Sequence, residues 1–266
     1  MKKPTFFLLA VLLLGSLSSC DVEEYMFTKS FVTSYDYVEG IGFESAEPEG
    51  PYITLVAQCD YTKSIDSEHG SGSYESRCQY YGDTSYDQRI STFLIDQKVD
   101  AFYQHFERID VVCQEEYDAQ HPAGTSLNDI VMFFSLTPSP FIESGYCELF
   151  RDFDSLPTIS GYPLRQWANE YAKGYNNREK EYMELYRNHE DIPSQWFPVY
   201  EKLSVLTAED LKLVKIAGGY DRNLLGILHF ISAPSTDGPK TFTVTMTTVD
   251  GEVFTHTETV SLKFDR

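Results

Sequence analysis

Apolar and polar residues alternate along much of the chain, and this pattern predicts strands. Alternation runs through residues 25–37, 53–61 and 109–113, and successive side chains of a strand point to opposite faces of its sheet. Residues 130–136 are instead a continuous apolar run, which is typical of a strand covered on both faces. These segments predict strands around a buried core.

The last part of the chain predicts a strand followed by a hairpin. Residues 224–231 form an apolar strand, and residues 241–264 carry two alternating stretches around Asp250-Gly251. An Asp-Gly pair favours the two-residue type I′ turn. The threonine-rich strands of this hairpin suit a half-exposed sheet.

Helical spacing occurs mainly in one long segment. Apolar residues recur three and four positions apart through residues 164–187, which predicts an amphipathic helix. Thr207 and Asp210 have the spacing of a helix N-terminus, so a short helix is expected to run to Val214. Residues 99–106 are predicted to form a helical turn or two.

Residues 63–88 are polar and rich in Ser, Gly and Tyr. They are predicted to form a long loop with one short strand at residues 78–81. Further strands are predicted at residues 90–95 and 145–150.

These elements together indicate a mainly β chain. About nine to eleven strands, interrupted by one helical segment, favour a β-sandwich of immunoglobulin-like type. The predicted domain covers residues 25–266, with a helical insertion at about 162–190. The alternative is an α+β chain of two domains that divides near residue 160 or 195.

The N-terminus has the layout of a secretory signal peptide. Lys2 and Lys3 precede nine apolar residues at positions 6–14, and a membrane-spanning helix needs about 20. The sequence Leu-Ser-Ser before Cys20 resembles the bacterial lipobox, which implies a signal peptide of residues 1–19 and lipidation of Cys20. Three acyl chains there would anchor the protein permanently. The alternative is an ordinary signal peptide with an incidental cysteine.

The charge of the chain excludes some partners. It has 21 basic and 41 acidic residues and a formal charge of −20, which argues against nucleic acid as a partner. The acidic tether, residues 20–24, resembles the export signal of Bacteroidetes lipoproteins. This resemblance implies a lipid-anchored protein on the outer surface of the outer membrane. In enterobacteria, Asp21 after the lipidated cysteine would imply inner-membrane retention, so a periplasmic face stays an alternative.

Four cysteines follow the lipobox: Cys59, Cys78, Cys113 and Cys147. An exported chain meets an oxidising environment, and an even number of cysteines favours two disulfides. We prefer Cys59–Cys78 and Cys113–Cys147 because each bridge closes a local segment, while a cross-strand Cys59–Cys113 pair stays an alternative. The wide spacing argues against a zinc site, and the absence of an adjacent histidine argues against a cysteine nucleophile.

Residues 121–129, His-Pro-Ala-Gly-Thr-Ser-Leu-Asn-Asp, resemble a loop of uncharacterised Bacteroidetes outer-membrane lipoproteins. That family combines such a loop with a lipobox and with a C-terminal hairpin similar to residues 242–251. The resemblance implies a cell-envelope component and carries no known activity. Asp154-Ser155-Leu156 also resembles the short O-glycosylation signal of this phylum, with Ser155 as the acceptor.

The sequence contains no motif for catalysis. The six histidines are scattered without H-E-x-x-H, and neither G-x-S-x-G nor a phosphate- or dinucleotide-binding fingerprint occurs. Glu115 and Glu116 are adjacent, so on a strand they would face opposite sides and could not form a glycosidase pair. We therefore predict no catalytic residue, no enzyme activity and no cofactor.

Calcium is the one metal with candidate ligands. Asp118, Asn128 and Asp129 form one group of oxygen donors, and Asp152 and Asp154 form another. Neither group has the D-x-D-x-D-G spacing of a calcium loop, so we favour a solvated surface for both.

Tyrosine is abundant, with 19 residues, and Tyr80, Tyr81 and Tyr86 fall in the predicted loop. Exposed tyrosine rings can stack on sugars, so this cluster is predicted to be a ligand-binding surface. Our leading hypothesis is a non-enzymatic, lipid-tethered envelope protein that binds a glycan or a partner protein. The alternatives are a pilus-type assembly subunit that exchanges edge strands and a carbohydrate-active hydrolase with a carboxylate pair.

Overall fold

Strands are the main regular elements of the described part of the chain. The computed structural model describes residues 25–45, 48, 50–64, 71–91, 99–152, 155–159, 162–163, 194–218 and 222–264. Within them lie the strands β1 (Tyr25–Thr28), β2 (Ser34–Phe43), β3 (Tyr52–Ser64), β4 (Gln88–Ser91), β5 (Asp100–Phe102), β6 (Phe106–Cys113), β7 (Val131–Thr137), β8 (Thr158–Ile159), β9 (Tyr162–Pro163), β10 (Phe197–Lys202), β11 (Ile216–Gly218), β12 (Arg222–Phe230), β13 (Lys240–Thr248) and β14 (Val253–Val260), and the helices α1 (Ser71–Tyr81) and α2 (Ser139–Glu143). The mainly β class predicted from the sequence is confirmed. The predicted signal peptide, the tether and residues 164–190 of the predicted helical insertion lie outside the described residues.

Two sheets organise the fold. The larger sheet has the strand order β10-β7-β12-β3-β2-β5, with β11 paired to β12. Its neighbouring strands are antiparallel, except that β2 and β5 run parallel. The smaller sheet has the order β14-β13-β6 and is antiparallel throughout. Two short ribbons, β1 with β4 and β8 with β9, complete the strand pairing of the described residues.

A hydrophobic core lies between the two sheets. Leu55 and Phe133 of the larger sheet meet Val111, Phe242 and Val244 of the smaller sheet there, and all five are fully buried. Alternation explains this arrangement on β13, where the threonines between these apolar residues point to the other face. This core, hereafter the first core, holds the two sheets face to face.

The opposite face of the larger sheet is covered as well. Phe134 follows Phe133 on β7 but points into a second core, together with Tyr35 of β2, Tyr74 of α1 and Phe141 of α2. The larger sheet is therefore the middle of three layers, with the smaller sheet on one face and the two helices on the other. This confirms the strand with two buried faces that the continuous apolar run predicts.

A bulge shifts which residues of β12 face each core. Its register against β3 shifts between Leu224 and Gly226, so Leu225 and Leu228 both face the first core although they are three positions apart. Gly226 lies where no side chain fits, because an added Cβ would lie 2.4 Å from a ring carbon of Phe133. The close approach of the Phe133 ring thus depends on glycine at this position.

The prediction of a long loop over residues 63–88, with a strand at 78–81, is wrong for Ser71–Tyr81, which form helix α1. Tyr74, Cys78 and Tyr81 are spaced four and three positions apart and are buried in the second core. A Ser- and Gly-rich composition conceals this short stripe. Packing against the sheet, rather than intrinsic propensity, holds the helix.

Two segments predicted to be helical are not. Residues 99–106 contain β5 and the start of β6, because β5 pairs in parallel with β2. In residues 207–214, the Asp210 carboxylate accepts the Thr207 N–H at 2.9 Å, as a helix start requires. Turns follow instead of a helix, and Leu213 takes a left-handed φ of 53°.

Two other local predictions differ from the structure. Residues 145–150 form no strand, and Phe150 makes a single bridge with Ser194. The predicted C-terminal hairpin is confirmed, but its turn is not type I′, because Gly251 alone of the Asp-Gly pair has a positive φ, 86°. The Gly251 N–H donates to Thr248 O at 2.9 Å, which fits a three-residue loop with a left-handed glycine.

Candidate functional site

Helix α1 ends in a Schellman motif that brings a carboxylate into the interior. Gly82 takes a φ of 71°, and the N–H groups of Gly82 and Asp83 donate to Gln79 O and Cys78 O at 3.2 and 2.9 Å. Asp83 follows directly and is fully buried. The left-handed glycine therefore positions Asp83.

Asp83 accepts hydrogen bonds from three donors. The backbone N–H groups of Phe31 and Val32 donate to its two oxygens at 2.6 and 2.8 Å, and the Tyr146 hydroxyl donates at 2.9 Å. Burial raises the pKa of Asp83 to about 6, and the three donors oppose this shift only in part. Asp83 thus joins the end of α1, the segment after β1 and the turn after α2 at one buried point.

A cleft of about 380 Å³ lies beside Asp83, between α1 and the end of β1. Residues 27–30 form one wall, Tyr74, Glu75 and Gln79 contribute from α1, and Asp83 also belongs to the lining. We name it the α1 cleft. Its volume is at the lower end of the range for small-ligand sites.

The lining of the α1 cleft combines one flat apolar ring with several polar groups. Phe27 is 75% exposed, Glu75 and Gln79 are exposed on α1, and the Thr28 and Ser30 hydroxyls hydrogen-bond to each other at 2.6 Å. A sugar ring offers an apolar face for stacking and hydroxyls for hydrogen bonds. The cleft therefore has the groups that a sugar needs.

The three tyrosines of the predicted binding surface do not lie together on the surface. Tyr80 is 52% exposed, whereas Tyr81 is 6% exposed. Tyr86 packs edge-on against Phe31, with 5.3 Å between the ring centroids. The prediction of one exposed cluster is wrong because successive residues of α1 point in different directions, which turns Tyr81 inward.

Tyr80 belongs instead to a cluster around Arg77 that no local pattern indicates. The Arg77 guanidinium carbon lies 3.9 Å from the ring centroid of Tyr103, 5.0 Å from that of Tyr80 and 5.6 Å from that of Tyr81. The Tyr80 hydroxyl lies 2.9 Å from His105 Nδ1. Within the described residues, Arg77 Nε and the Tyr81 hydroxyl are buried without a hydrogen-bond partner. Stacking on the three rings is what stabilises the Arg77 charge here.

One histidine organises the loop that resembles the lipoprotein family. His121 Nδ1 lies 2.8 Å from Asp118 Oδ1, and His121 Nε2 lies 3.0 Å from Asp129 Oδ1. Burial lowers the pKa of His121, but the hydrogen bonds to both carboxylates outweigh burial and raise it above its usual value. The pKa of Asp118 is lowered, because the bonds from His121 outweigh the opposite effect of burial. The loop is thus closed by a histidine that lies between two aspartates and binds both.

The oxygen atoms predicted as calcium ligands have other partners. Both aspartates of the first group bind His121, and the Asn128 side chain accepts the Val111 N–H at 3.0 Å. Asp152 is exposed, and Asp154 lies outside the described residues. No group of three or more His, Cys, Asp or Glu side chains in the described part is arranged to hold a metal ion.

The four described cysteines are free thiols, so the predicted disulfides are not formed. Cys59 packs against the first core, whereas Cys78 belongs to the second core, so the larger sheet separates the preferred pair. Cys113 is buried in the smaller sheet, and Cys147 is exposed. Burial raises the pKa of Cys59 to about 12 and also raises the pKa of Cys78 and Cys113. These three thiols are therefore poor nucleophiles.

The two predicted modification sites stay predictions. Ser155 is exposed, and its hydroxyl donates to Asp152 O at 2.7 Å. Cys20 lies outside the described residues. Among the helices of the described chain, none is long and apolar enough to span a membrane.

Comparison of the chain with protein-family models, with curated proteins and with solved structures gives no match. No relative's catalytic or binding residues can therefore be transferred to this chain.

Proposed function

We propose that this chain is a non-enzymatic, lipid-anchored envelope protein that binds a glycan through the α1 cleft. The observation that carries the proposal is the exposed ring of Phe27 beside a cavity of about 380 Å³ with hydroxyl, amide and carboxylate groups in its lining. A site for sugars needs both an apolar stacking surface and groups that bind hydroxyls.

The contacts available in the α1 cleft favour weak binding of each sugar unit. One stacked ring contributes about 0.5–1.5 kcal/mol, and each net hydrogen bond contributes about 1 kcal/mol. A few such contacts correspond to an affinity of about 1 mM. Many copies tethered to one surface would hold a repeating polymer far more tightly than a single site does.

The lipid anchor and the outer-membrane location belong to the same proposal. The lipobox at Cys20 and the acidic residues 21–24 support them. Five chain steps separate Cys20 from β1, which is at most roughly 17 Å of extended backbone. A lipidated Cys20 would therefore hold the α1 cleft close to the membrane surface, where surface glycans attach.

The finer architecture is also proposed. Two facing sheets around the first core support a β-sandwich of immunoglobulin-like type. The helices over the other face of the larger sheet would then be an addition to that sandwich.

A glycan array followed by calorimetric titration of the purified protein tests glycan binding. We expect binding that Phe27→Ala weakens by about threefold to tenfold, because the variant loses the stacking ring. Gln79→Ala should weaken it further through a lost hydrogen bond. Val253→Ala removes an exposed apolar side chain from the smaller sheet and is the matched control. An array without a bound glycan, or equal losses in Phe27→Ala and Val253→Ala, contradicts the proposal.

The edge strand β14 favours a second candidate function, that of a subunit in a surface assembly. β14 ends the smaller sheet and, among the described strands, pairs with β13 alone. An open edge can accept a strand from another chain. Self-association at high concentration that Thr257→Lys prevents would support this function. A monomer at every concentration in a sedimentation experiment would contradict it.

A further inference from the structure

A second cavity, of about 560 Å³, lies beside the base of the C-terminal hairpin. Its lining comes from the turn at residues 233–238, from Lys240 at the start of β13 and from residues 262–264 after β14. We name it the Lys240 pocket. It shares no lining residue with the α1 cleft, so the two are separate sites.

Lys240 is a buried cation in the lining of this pocket. It is 8% exposed, and its ammonium group donates to Glu116 O at 3.0 Å and to Thr236 Oγ1 at 2.9 Å. Both acceptors are neutral, and no carboxylate of the described residues forms an ion pair with Lys240. An ammonium group has three N–H donors, so one of them stays available to a ligand.

The charge of the Lys240 pocket is opposite to that of the whole chain. Among the described residues, Lys240 and Lys263 line it against one acid, Asp237. The described lining therefore has a formal charge of +1 in a protein of formal charge −20. A buried positive charge without a counter-ion is unfavourable, and a bound anion would offset it. A single net positive charge matches one carboxylate better than a doubly charged phosphate.

The pocket also has an apolar side. Leu262 and Phe264 pack against the first core and line the pocket together with Pro234. Apolar lining next to a cation suits an organic acid rather than an inorganic ion, because the body of the ligand then leaves water.

We propose that the Lys240 pocket binds a small organic anion with a single carboxylate. The carboxylate lies on Lys240 and Lys263, and the rest of the molecule packs on Leu262 and Phe264. Two sources share this chemistry, an acidic sugar and the C-terminal residue of a peptide.

Calorimetric titration of the whole purified protein tests the proposal with two carboxylates and their uncharged equivalents. Glucuronate is compared with glucose, and N-acetylleucine is compared with N-acetylleucinamide. We expect at least one carboxylate to bind, its uncharged equivalent not to bind, and the affinity to fall as salt screens the lysines. The carboxylate that binds identifies the source.

Variants distinguish this pocket from other sites. Lys263→Gln, at an exposed position, should weaken carboxylate binding by about tenfold, and Lys240→Met should abolish it. Lys202→Gln removes a lysine of β10 outside the pocket and should bind like the wild type, as should Phe27→Ala of the α1 cleft. If Lys240→Met does not fold, carboxylate binding by Lys263→Gln alone tests whether the Lys240 pocket is the binding site.

Three results would overturn the proposal. They are the failure of both carboxylates to bind, equal binding of the uncharged equivalents, and an affinity that Lys263→Gln leaves unchanged. Because the α1 cleft is tested separately, by the glycan array and by Phe27→Ala, each of these results leaves the proposed function standing.

Discussion

Replacing Asp83 with asparagine tests whether burial or hydrogen bonding determines the charge of this carboxylate. Its donors are two backbone N–H groups and the Tyr146 hydroxyl, which favour the ionised form. Burial acts in the opposite direction and raises the pKa of Asp83 from 3.8 to about 6. Asparagine keeps the size of the side chain and never ionises.

The magnitude follows from the pKa. A raised pKa means that the folded protein binds the proton more tightly than the unfolded chain does, so stability falls as the pH rises between the two values. The rise of the pKa from 3.8 to about 6 corresponds to about 3 kcal/mol. Other titrating groups are common to both proteins. The free energy of unfolding of the wild type, minus that of Asp83→Asn, should therefore fall by about 2 kcal/mol from pH about 4 to pH about 7, with the remainder lost outside this interval.

Urea unfolding at a series of pH values measures this difference, since both free energies are extrapolated to water in the same way. Asp152→Asn, at an exposed aspartate, is the control. Its free energy of unfolding should differ from that of the wild type by the same amount at every pH. A difference for Asp83→Asn that does not change with pH would show an unshifted pKa. A difference that rises with pH would show that the three donors outweigh burial, and it would refute the reasoning.

Three further predictions concern other parts of the fold. His121→Gln should lower the free energy of unfolding at a pH where the wild-type His121 is protonated, and this loss should shrink as the pH rises through the raised pKa. A loss that urea unfolding finds to be independent of pH contradicts this prediction. Gly226→Ala should cost about 1–3 kcal/mol, because its Cβ overlaps the Phe133 ring. In the same assay Gly42→Ala should change the free energy of unfolding little, because its Cβ would lie 3.5 Å from the nearest atom, Gln58 Nε2. Equal losses of stability in Gly226→Ala and Gly42→Ala contradict the prediction. Thiol titration of the unreduced native protein should find Cys147 reactive and the three other described cysteines reactive only after unfolding. If no thiol can be titrated, even after unfolding, the cysteines are not free and the prediction is contradicted.

Strands with a buried face could be predicted because alternation is a local property. β3, β6, β7, β12 and the β13–β14 hairpin all occur where the pattern places them. A period of two identifies such a strand whichever partner it pairs with. The continuous run of β7 even indicated two buried faces.

Helix α1 and strand β5 could not be predicted in this way. The buried stripe of α1 is only Tyr74, Cys78 and Tyr81 in a Ser- and Gly-rich segment, and a helix this short is marginal without packing. β5 has three residues and is defined by its pairing with β2. Each element exists because of a distant partner.

The residues of the candidate site were not predicted, because Tyr80, Tyr81 and Tyr86 are not among the described residues that line the α1 cleft. The tyrosine-rich segment does border the α1 cleft, but Phe27 and Asp83 have no pattern that singles them out. The cleft forms where the end of β1 meets α1, and Asp83 is buried because Phe31, Val32 and Tyr146 surround it. Such contacts join parts of the chain that no sequence window contains.

The sequence by itself determined the mainly β class, the C-terminal hairpin and the strong negative charge, and it predicts a lipidated N-terminus. Only the tertiary structure decided which elements cover the two faces of the larger sheet and that Cys59 and Cys78 lie on opposite sides of it. It also placed Asp83 and Lys240 in the interior beside cavities. Periodicity and charge belong to neighbouring residues, whereas burial, pKa and cavities arise from contacts between residues far apart in the chain.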